Sequence, residues 1–392
     1  MKIIGLRIYP LTLKFGYIIH ESFGAVGKEE KNVLLQIFTD EGIYGLGEAI
    51  TLGPFYSSES QGTVIDMITN YFFPKALLGE DPFNIDKIVY KMDKAVTGHS
   101  IAKTCVDMAL HDIMGKALNV PLYRLIGGKF SDKIPLRYGI GSGSPEAMAA
   151  MAKRGIDDGY KCIKMKCGMN PNLEIECVKA VREAIGPDND ISIDINQNFT
   201  PEQAIRWIHQ VEPYHILNVE QPVPKHDIRG LKRVRDNVET AIGACEAGYS
   251  IEDVMKILIA DACDLIHFKV ARSGGFYRSK QIVHMTRAAG VSVMGSTQLG
   301  MGVELAAMAH FAVSNMCLGH APYTAQGYGG GLLNLYDVVD TKGITDDIVT
   351  PTPLIEKGFL TVPEGPGLGV TLNPAGLKRW QGAPAIEVGK VF

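Results

Sequence analysis

Between residues 134 and 320 short apolar runs recur at a near-constant interval. IPLRYGI, CIKMKC, DISIDIN, ILNVEQ, TAIGACE, DLIHFKV, VSVMGST and MCLGH read as strands. The segments between them repeat apolar positions every three or four residues and read as amphipathic helices. Ser144-Pro145-Glu146 and Thr200-Pro201-Glu202-Gln203 each offer a capping hydroxyl followed by proline at the first helical position, and Ser250 offers another cap. Eight strands alternating with seven helices predict an α/β protein with a closed parallel barrel; an open doubly wound sheet is the alternative.

The chain on either side has a different character. NVLLQIFTDEGIYGLGEA carries two apolar stretches around Asp40-Glu41-Gly42 and predicts a hairpin. SQGTVIDMITNYFF, NIDKIVYKMDKAV and SIAKTCVDMALHDIMGKAL follow with helical spacing, so strands then helices predict a separate α+β domain. After about residue 325 the chain is rich in glycine and proline. There GFLTVPEGPGLGV is expected to form a last strand that returns to the first domain.

Composition narrows the function classes. The 392 residues are 46% hydrophobic and 21% charged, with a formal net charge of −4 and no basic block. A nucleic-acid or anionic-membrane partner is therefore not expected. Arg7, Pro10 and Lys14 interrupt the apolar start, so neither a signal peptide nor a membrane helix is expected and a soluble, cytoplasmic protein is. The seven cysteines form no CxxC pair and read as reduced, buried thiols.

The candidate chemistry lies in the charges that interrupt the strands. In YKCIKMKCG, Lys164 and Lys166 are two apart and share one strand face. Buried lysines are rare unless paired or used. Lys166, Asp194, Glu220, Glu246 and Lys269 stand near the ends of five successive strands, about 23 to 28 residues apart, one strand–helix unit per step. In a parallel barrel the carboxyl-terminal strand ends carry the active site. Asp194, Glu220 and Glu246 repel one another unless a cation sits between them. An all-oxygen donor set selects Mg²⁺, with Mn²⁺ as substitute, over zinc. Cys245 precedes Glu246 but should point to the other side of its strand. The competing explanation is that some of these carboxylates pair with the lysines. If strands two and six oppose each other, Lys166 and Lys269 flank the α-carbon of a metal-bound substrate carboxylate, and the metal stabilises the enediolate formed when the α-proton leaves. The base must be neutral. Burial, Mg²⁺ and Lys164 all lower a lysine pKa from its free value of about 10.4.

These residues resemble the enolase superfamily, specifically its mandelate racemase/muconate lactonizing enzyme group, over nearly the whole chain. GIYGLGEA is similar to the family's hairpin and VDMALHDIMGKALNVPLYRLIGG to its helix before the barrel; KMK, DINQNFT, VEQP, KVARSGG and PGLGV follow in family order. The resemblance implies a modified TIM barrel, (β/α)7β, with an α+β capping domain. Residues 1–130 form the amino-terminal part of the cap, 131–325 the barrel, and 326–392 a tail completing the cap. It implies Asp194, Glu220 and Glu246 as Mg²⁺ ligands, Lys166 and Lys269 as opposed acid/base groups, and Lys164 at the substrate carboxylate. Asn196, in DINQNFT, is a further substrate-contact candidate. Paired lysines mark the muconate lactonizing subgroup, whereas mandelate racemase-like members use a His–Asp pair. Relatives commonly form homo-oligomers, so one is expected here. Two positions depart from the subgroup. Cys245 stands where many members have a ligand aspartate, which moves that role to Glu246. Leu299 stands where a glutamate is usual, leaving Thr297 and Gln298 as substrate-contact candidates.

Other features carry less. His267 should lie in the barrel below Lys269 as filler or as a partner of the site. His310 reads as structural. His320 could touch substrate, and His20, in the loop His20-Glu21-Ser22-Phe23, could set specificity with the segments 17–28 and 51–58. YGIGSGS lacks the GxGxxG spacing of a dinucleotide loop. The expectation is a Mg²⁺-dependent enzyme acting on a small carboxylate as a racemase/epimerase or muconate-type cycloisomerase. The alternatives are a dehydratase using the same lysines, a carboxylate-binding protein without activity, and, most remotely, a phosphate-handling barrel isomerase.

Overall fold

The computed structural model describes residues 1–21, 24–298, 300–315, 325–327, 339–340, 343–344 and 346–392, with the backbone alone at 15–21, 24–28, 54, 55, 325–327, 339–340 and 343–344. The first layer is a four-stranded antiparallel sheet. Strands β1 (Ile3–Pro10), β4 (Val33–Thr39) and β5 (Tyr44–Ala49) lie side by side, and Ile386–Gly389 pairs with the outer edge of β1. The hairpin turns at residues 40–42 as its sequence predicts. Strands β2 (Leu13–Glu21) and β3 (Gly24–Glu30) make a separate hairpin in which His20 opposes Ala25, so His20 sits on a strand and not in an open loop.

Helices α1 (Gly53–Ser57), α2 (Gln61–Asp66), α3 (Ile85–Ala95) and α4 (Ser100–Ala117) follow. The helix predicted beyond α2 winds as a π-helix over Met67–Leu77 that contains Pro74. Proline lacks the amide donor of an α-helical ladder and clashes with the preceding turn, and wider winding accommodates it. Helix α4 is buried nearly throughout because it lies against β5 on one side and the barrel on the other. Glycines make that contact possible. A Cβ at Gly45 would stand 2.0 Å from the carbonyl oxygen of Ala109, and one at Gly47 1.9 Å from that of Cys105. Only hydrogen fits between strand and helix backbones there.

The second layer is parallel and barrel-like. Strands β6 (Lys133–Ile140), β7 (Cys162–Lys166), β8 (Asp190–Asp194), β9 (Ile216–Glu220), β10 (Ile242–Ala244), β11 (Leu265–Phe268) and β12 (Ser292–Gly295) are hydrogen-bonded in sequence order. Strand β13 (Ala325–Gly327) pairs in parallel with β6 and approaches β12, which brings the sheet's ends together. The predicted strand MCLGH, with His320, lies outside the described residues. Helices α5 (Pro145–Asp157), α6 (Pro171–Ile185), α7 (Pro201–Val211), α8 (Ile228–Arg235), α9 (Ile251–Ile259), α10 (Gly275–Ala288) and α11 (Gly302–Val313) connect the strands, and α12 (Pro374–Trp380) lies in the tail. Ser144, Thr200 and Ser250 cap α5, α7 and α9 through side-chain oxygens, as the sequence predicts. Helix α7 buries Ala204, Trp207, Ile208 and Val211 on one face. Truncating such a tryptophan to alanine costs about 3–5 kcal/mol.

One expectation about the tail is corrected in part. Phe359–Thr361 pairs antiparallel with β6 of the barrel, whereas Gly367 bridges Pro121 of the cap; the strand that joins the cap sheet is Ile386–Gly389. The later strand has the exposed edge of β1 available, whereas the edge of β6 captures the earlier one. Among the described residues no helix is long and apolar enough to cross a membrane, and the six described cysteines are buried and free.

Candidate active site

Register places the charged residues at one height. Lys166 is directly opposite Asp194, and Asp194 opposite Glu220. Glu246 follows β10 by two residues and Lys269 follows β11 by one. All five side chains are buried, between 1% and 9% exposed, so water screens little of their mutual interaction.

The ammonium groups and carboxylates interlock. Lys164 Nζ lies 2.6 Å from Glu220 Oε2 and 2.9 Å from Asp194 Oδ2. Lys166 Nζ donates to Asp194 Oδ2 and to Asn196 Oδ1, each at 3.0 Å. Asn196, in a left-handed conformation with φ 45°, passes the chain on by donating Nδ2 to Glu246 Oε1 at 2.9 Å. Its amide is thus engaged with Lys166 and Glu246. Two Asp194 and Glu220 oxygens therefore pair with lysines, as the competing explanation foresaw.

Electrostatics separate the three carboxylates. Burial and Glu220 push Asp194 up, but Lys164 and Lys166 outweigh them and hold it below its usual range. Burial likewise opposes ionisation of Glu220, and the surrounding Lys164, Arg137 and Lys166 hold it well below. Glu246 goes the other way: burial, Asp194 and Glu220 raise it, and its Oε2 is buried without a hydrogen-bond partner. That orphaned oxygen beside two carboxylates suits a hard divalent cation, and the all-oxygen donor set fits Mg²⁺. Among the described residues no three His, Cys, Asp or Glu side chains converge within common ligating reach; Lys164 provides the countercharge between Asp194 and Glu220 instead.

Lys269 has different company. Its Nζ donates to the Tyr56 hydroxyl at 3.1 Å and lies 5.2 Å from that ring's centre. Burial lowers its pKa, and Arg272 and Lys164 add to the effect. Arg272 donates to the same Tyr56 hydroxyl at 2.9 Å and to the Cys245 carbonyl at 2.6 Å. The Cys245 thiol sulfur lies 3.4 Å from an Arg272 guanidinium nitrogen.

Below this layer His267 is fully buried, and burial holds it neutral with a pKa of about 3. Its Nδ1 stands 3.1 Å from Glu220 Oε2, though neither ring nitrogen makes a well-directed hydrogen bond. It is a neighbour of the site, as expected. His310 accepts from the Tyr123 amide at 3.2 Å and packs on that ring, which is a structural role. Gln298 donates to the Ile50 carbonyl at 3.0 Å and so ties the end of β12 to the cap. Thr297 is buried beside it. Leu299, His320 and the His20 side chain lie outside the described residues.

Sequence reasoning passed over Tyr56, Tyr249, Arg137 and Arg272. Arg137 carried the signal used for Lys164, a charge inside an apolar strand, and it is fully buried 3.9 Å from Glu220 Oε2. Arg272 follows Lys269 by three residues within KVARSGG. Tyr56 carried no periodic signal.

Comparison with known proteins identifies the family. Residues 11–127 match the mandelate racemase/muconate lactonizing enzyme N-terminal domain, and residues 147–376 match the enolase C-terminal domain-like family. The chain is 33% identical over 285 residues to an L-Ala-D/L-Glu epimerase of Clostridium acetobutylicum, covering 72% of this chain and 79% of that one. It is 30% identical over 351 residues to muconate cycloisomerase 1 of Acinetobacter baylyi, covering 88% and 91%. The dipeptide epimerase of Enterococcus faecalis, solved with Mg and L-Leu-L-Tyr, superposes with a TM-score of 0.85 at 28% identity, covering 95% of this chain and 100% of that one. The chain thus belongs to the mandelate racemase/muconate lactonizing enzyme family of the enolase superfamily, and is an isomerase of its muconate lactonizing subgroup.

Proposed function

We propose that the protein is a Mg²⁺-dependent isomerase that removes and returns the proton α to a substrate carboxylate, acting as a racemase or epimerase, with cycloisomerisation as the related outcome. One observation carries this reading. Lys166, Asp194 and Glu220 stand directly opposite one another on adjacent strands, while Lys269 approaches from β11, four strands away from β7. Two lysines on opposite sides of one substrate carbon can each serve one stereochemical face.

Asp194, Glu220 and Glu246 would hold the metal; when bound, it supplies positive charge that offsets the charge developing on the substrate carboxylate. Lys164 holds positive charge beside that carboxylate. Lys166 moves the proton on one face, kept in place by Asp194 and Asn196. Lys269 moves it on the other, and its burial favours the neutral amine that a base requires. The seclusion of all these groups from water protects the carbanionic species from stray protonation.

The same reading divides the chain into a barrel of 131–325 and a cap of 1–130 with 326–392, apart from the short strands Ala325–Gly327 and Phe359–Thr361 that pair with β6. It is supported by the shared sheet of β1 and Ile386–Gly389 and by a cap core, including Ile3, Leu35, Phe72 and Leu110, separate from the barrel core. Substrates to test first are dipeptides and cis,cis-muconate, after the relatives named above. Proton NMR in D₂O should show Mg²⁺-dependent loss of the α-proton signal from at least one dipeptide, or lactone formation from muconate. Absence of both across L- and D-configured dipeptides and muconate, with Mg²⁺ present, sinks the reading.

A further inference from the structure

Tyr56 enters the barrel mouth from the cap. It is the fourth residue of α1, a five-residue helix whose flanks are both left-handed: Leu52 at φ 47° before it and Ser58 at φ 62° after it, with its first residue Gly53 at φ 74°. Leucine and serine hold that conformation at a cost of about 1–3 kcal/mol and only where the surroundings over-determine it. Here the surroundings are the site itself. The Tyr56 hydroxyl accepts from Lys269 and Arg272. Its backbone carbonyl accepts from the Tyr249 hydroxyl at 2.6 Å. Arg272 closes the ring by lying 4.5 Å over Tyr249 while bonding the carbonyl of Cys245, the residue before Glu246.

Lys166 is bonded to Asp194 and Asn196, which belong to the barrel. Lys269 is bonded to a phenol that arrives on the cap, more than two hundred residues earlier in the chain. A phenol oxygen accepting from an ammonium favours its protonated form, and the ring above it limits access.

We propose that Tyr56 is a positioning residue for Lys269, through which the cap sets the reactivity of the β11 lysine. The proposal rests on Lys269 taking part in proton transfer, but its test does not.

The test is competitive acetylation of the intact protein with acetic anhydride across a pH series, with Lys269 and Lys166 quantified by peptide mass spectrometry. In Tyr56→Phe, Lys269 should react about three- to tenfold faster, the worth of one hydrogen bond, and titrate at lower pH, while Lys166 is unchanged. Tyr56→Ala should move Lys269 further the same way. Unchanged Lys269 labelling overturns the proposal. Equal changes at both lysines also overturn it, because they would mark a general loosening of the barrel mouth. Failure of the wild-type protein to exchange α-protons would overturn the proton-transfer reading and leave this result standing. Where a dipeptide substrate is found, Tyr56→Phe should slow α-proton exchange from one configuration and spare the other.

Discussion

The ammonium of Lys164 stands 2.6 Å from Glu220, two strands away across the barrel mouth. Asp194, on the strand between them, shares the same ammonium. This lysine therefore shares its one positive charge between two of the three carboxylates assigned to the metal, and its removal and the cation's arrival act on the same charge.

Lys164→Met should accordingly be destabilised by about 3–5 kcal/mol in EDTA, the cost of stranding a buried charge. Added Mg²⁺ should recover part of that loss, and should raise the melting temperature of the variant more than that of the wild type. Thermal melts with EDTA and with Mg²⁺ measure both. Equal Mg²⁺ shifts in the two proteins would mean that the cation and Lys164 do not answer the same carboxylates.

Lys166→Ala and Lys269→Ala should each lower turnover by at least about 100-fold, the lower range for a lost general acid or base. Each variant should keep α-proton exchange with one substrate configuration and lose it with the other. Exchange followed separately from the two configurations in D₂O decides this. Loss of both in either variant would place the two lysines in a single step.

A pH dependence follows from carboxylates outside the site. Glu48 of β5, Glu304 of α11 and Asp347 of the tail meet at the start of α11, where they accept from the amides of Gln298, Gly300, Met301, Gly302 and Glu304. Burial raises their pKa values to about 8, 7 and 7, against those amide bonds. A folded pKa above the unfolded value of about 4 means that the native state binds protons more tightly. The resulting stabilisation is complete below about pH 4 and is lost as pH rises toward 7–8. The melting temperature should fall between about pH 5 and pH 8, and Glu304→Gln should flatten that fall. A wild-type melting temperature that rises across this range would show the three groups ionised throughout.

Asp112 joins three parts of the chain. Its Oδ2 accepts from the amide of Leu46 in β5 at 2.9 Å and from Lys116 at 2.6 Å, and its Oδ1 accepts from the amide of Leu368 in the tail at 2.8 Å. Asp112→Ala leaves two buried amides without acceptors and should cost about 2–5 kcal/mol. Urea titration of the variant measures this, and hydrogen exchange should show loosening at both Leu46 and Leu368. A loss below about 1 kcal/mol would mean that water replaces the carboxylate.

The sequence was a good guide wherever the physics is local. Strand alternation put Lys164 and Lys166 on one face. Capping chemistry marked the starts of α5, α7 and α9. The strand–helix repeat brought Lys166, Asp194 and Glu220 to one height, because each parallel unit returns the chain to the same end of the sheet. The tail was misread for the complementary reason. Strand-forming residues near 359 and near 386 have similar local preferences, and which one joins the cap depends on the free edges of β1 and β6.

By itself, then, the sequence determined the α/β alternation, the barrel-like order of strands, the family, and the charged residues that gather at the strand ends. These depend on side-chain period and on spacing within single strand–helix units. Only the tertiary structure decided the pairings across the site: Asn196 linking Lys166 to Glu246, Lys164 held between Asp194 and Glu220, and Tyr56 meeting Lys269 and Arg272. Such contacts join segments from different strands, or from the cap and the barrel. Their geometry follows from how two separately formed layers pack, and no local pattern encodes that.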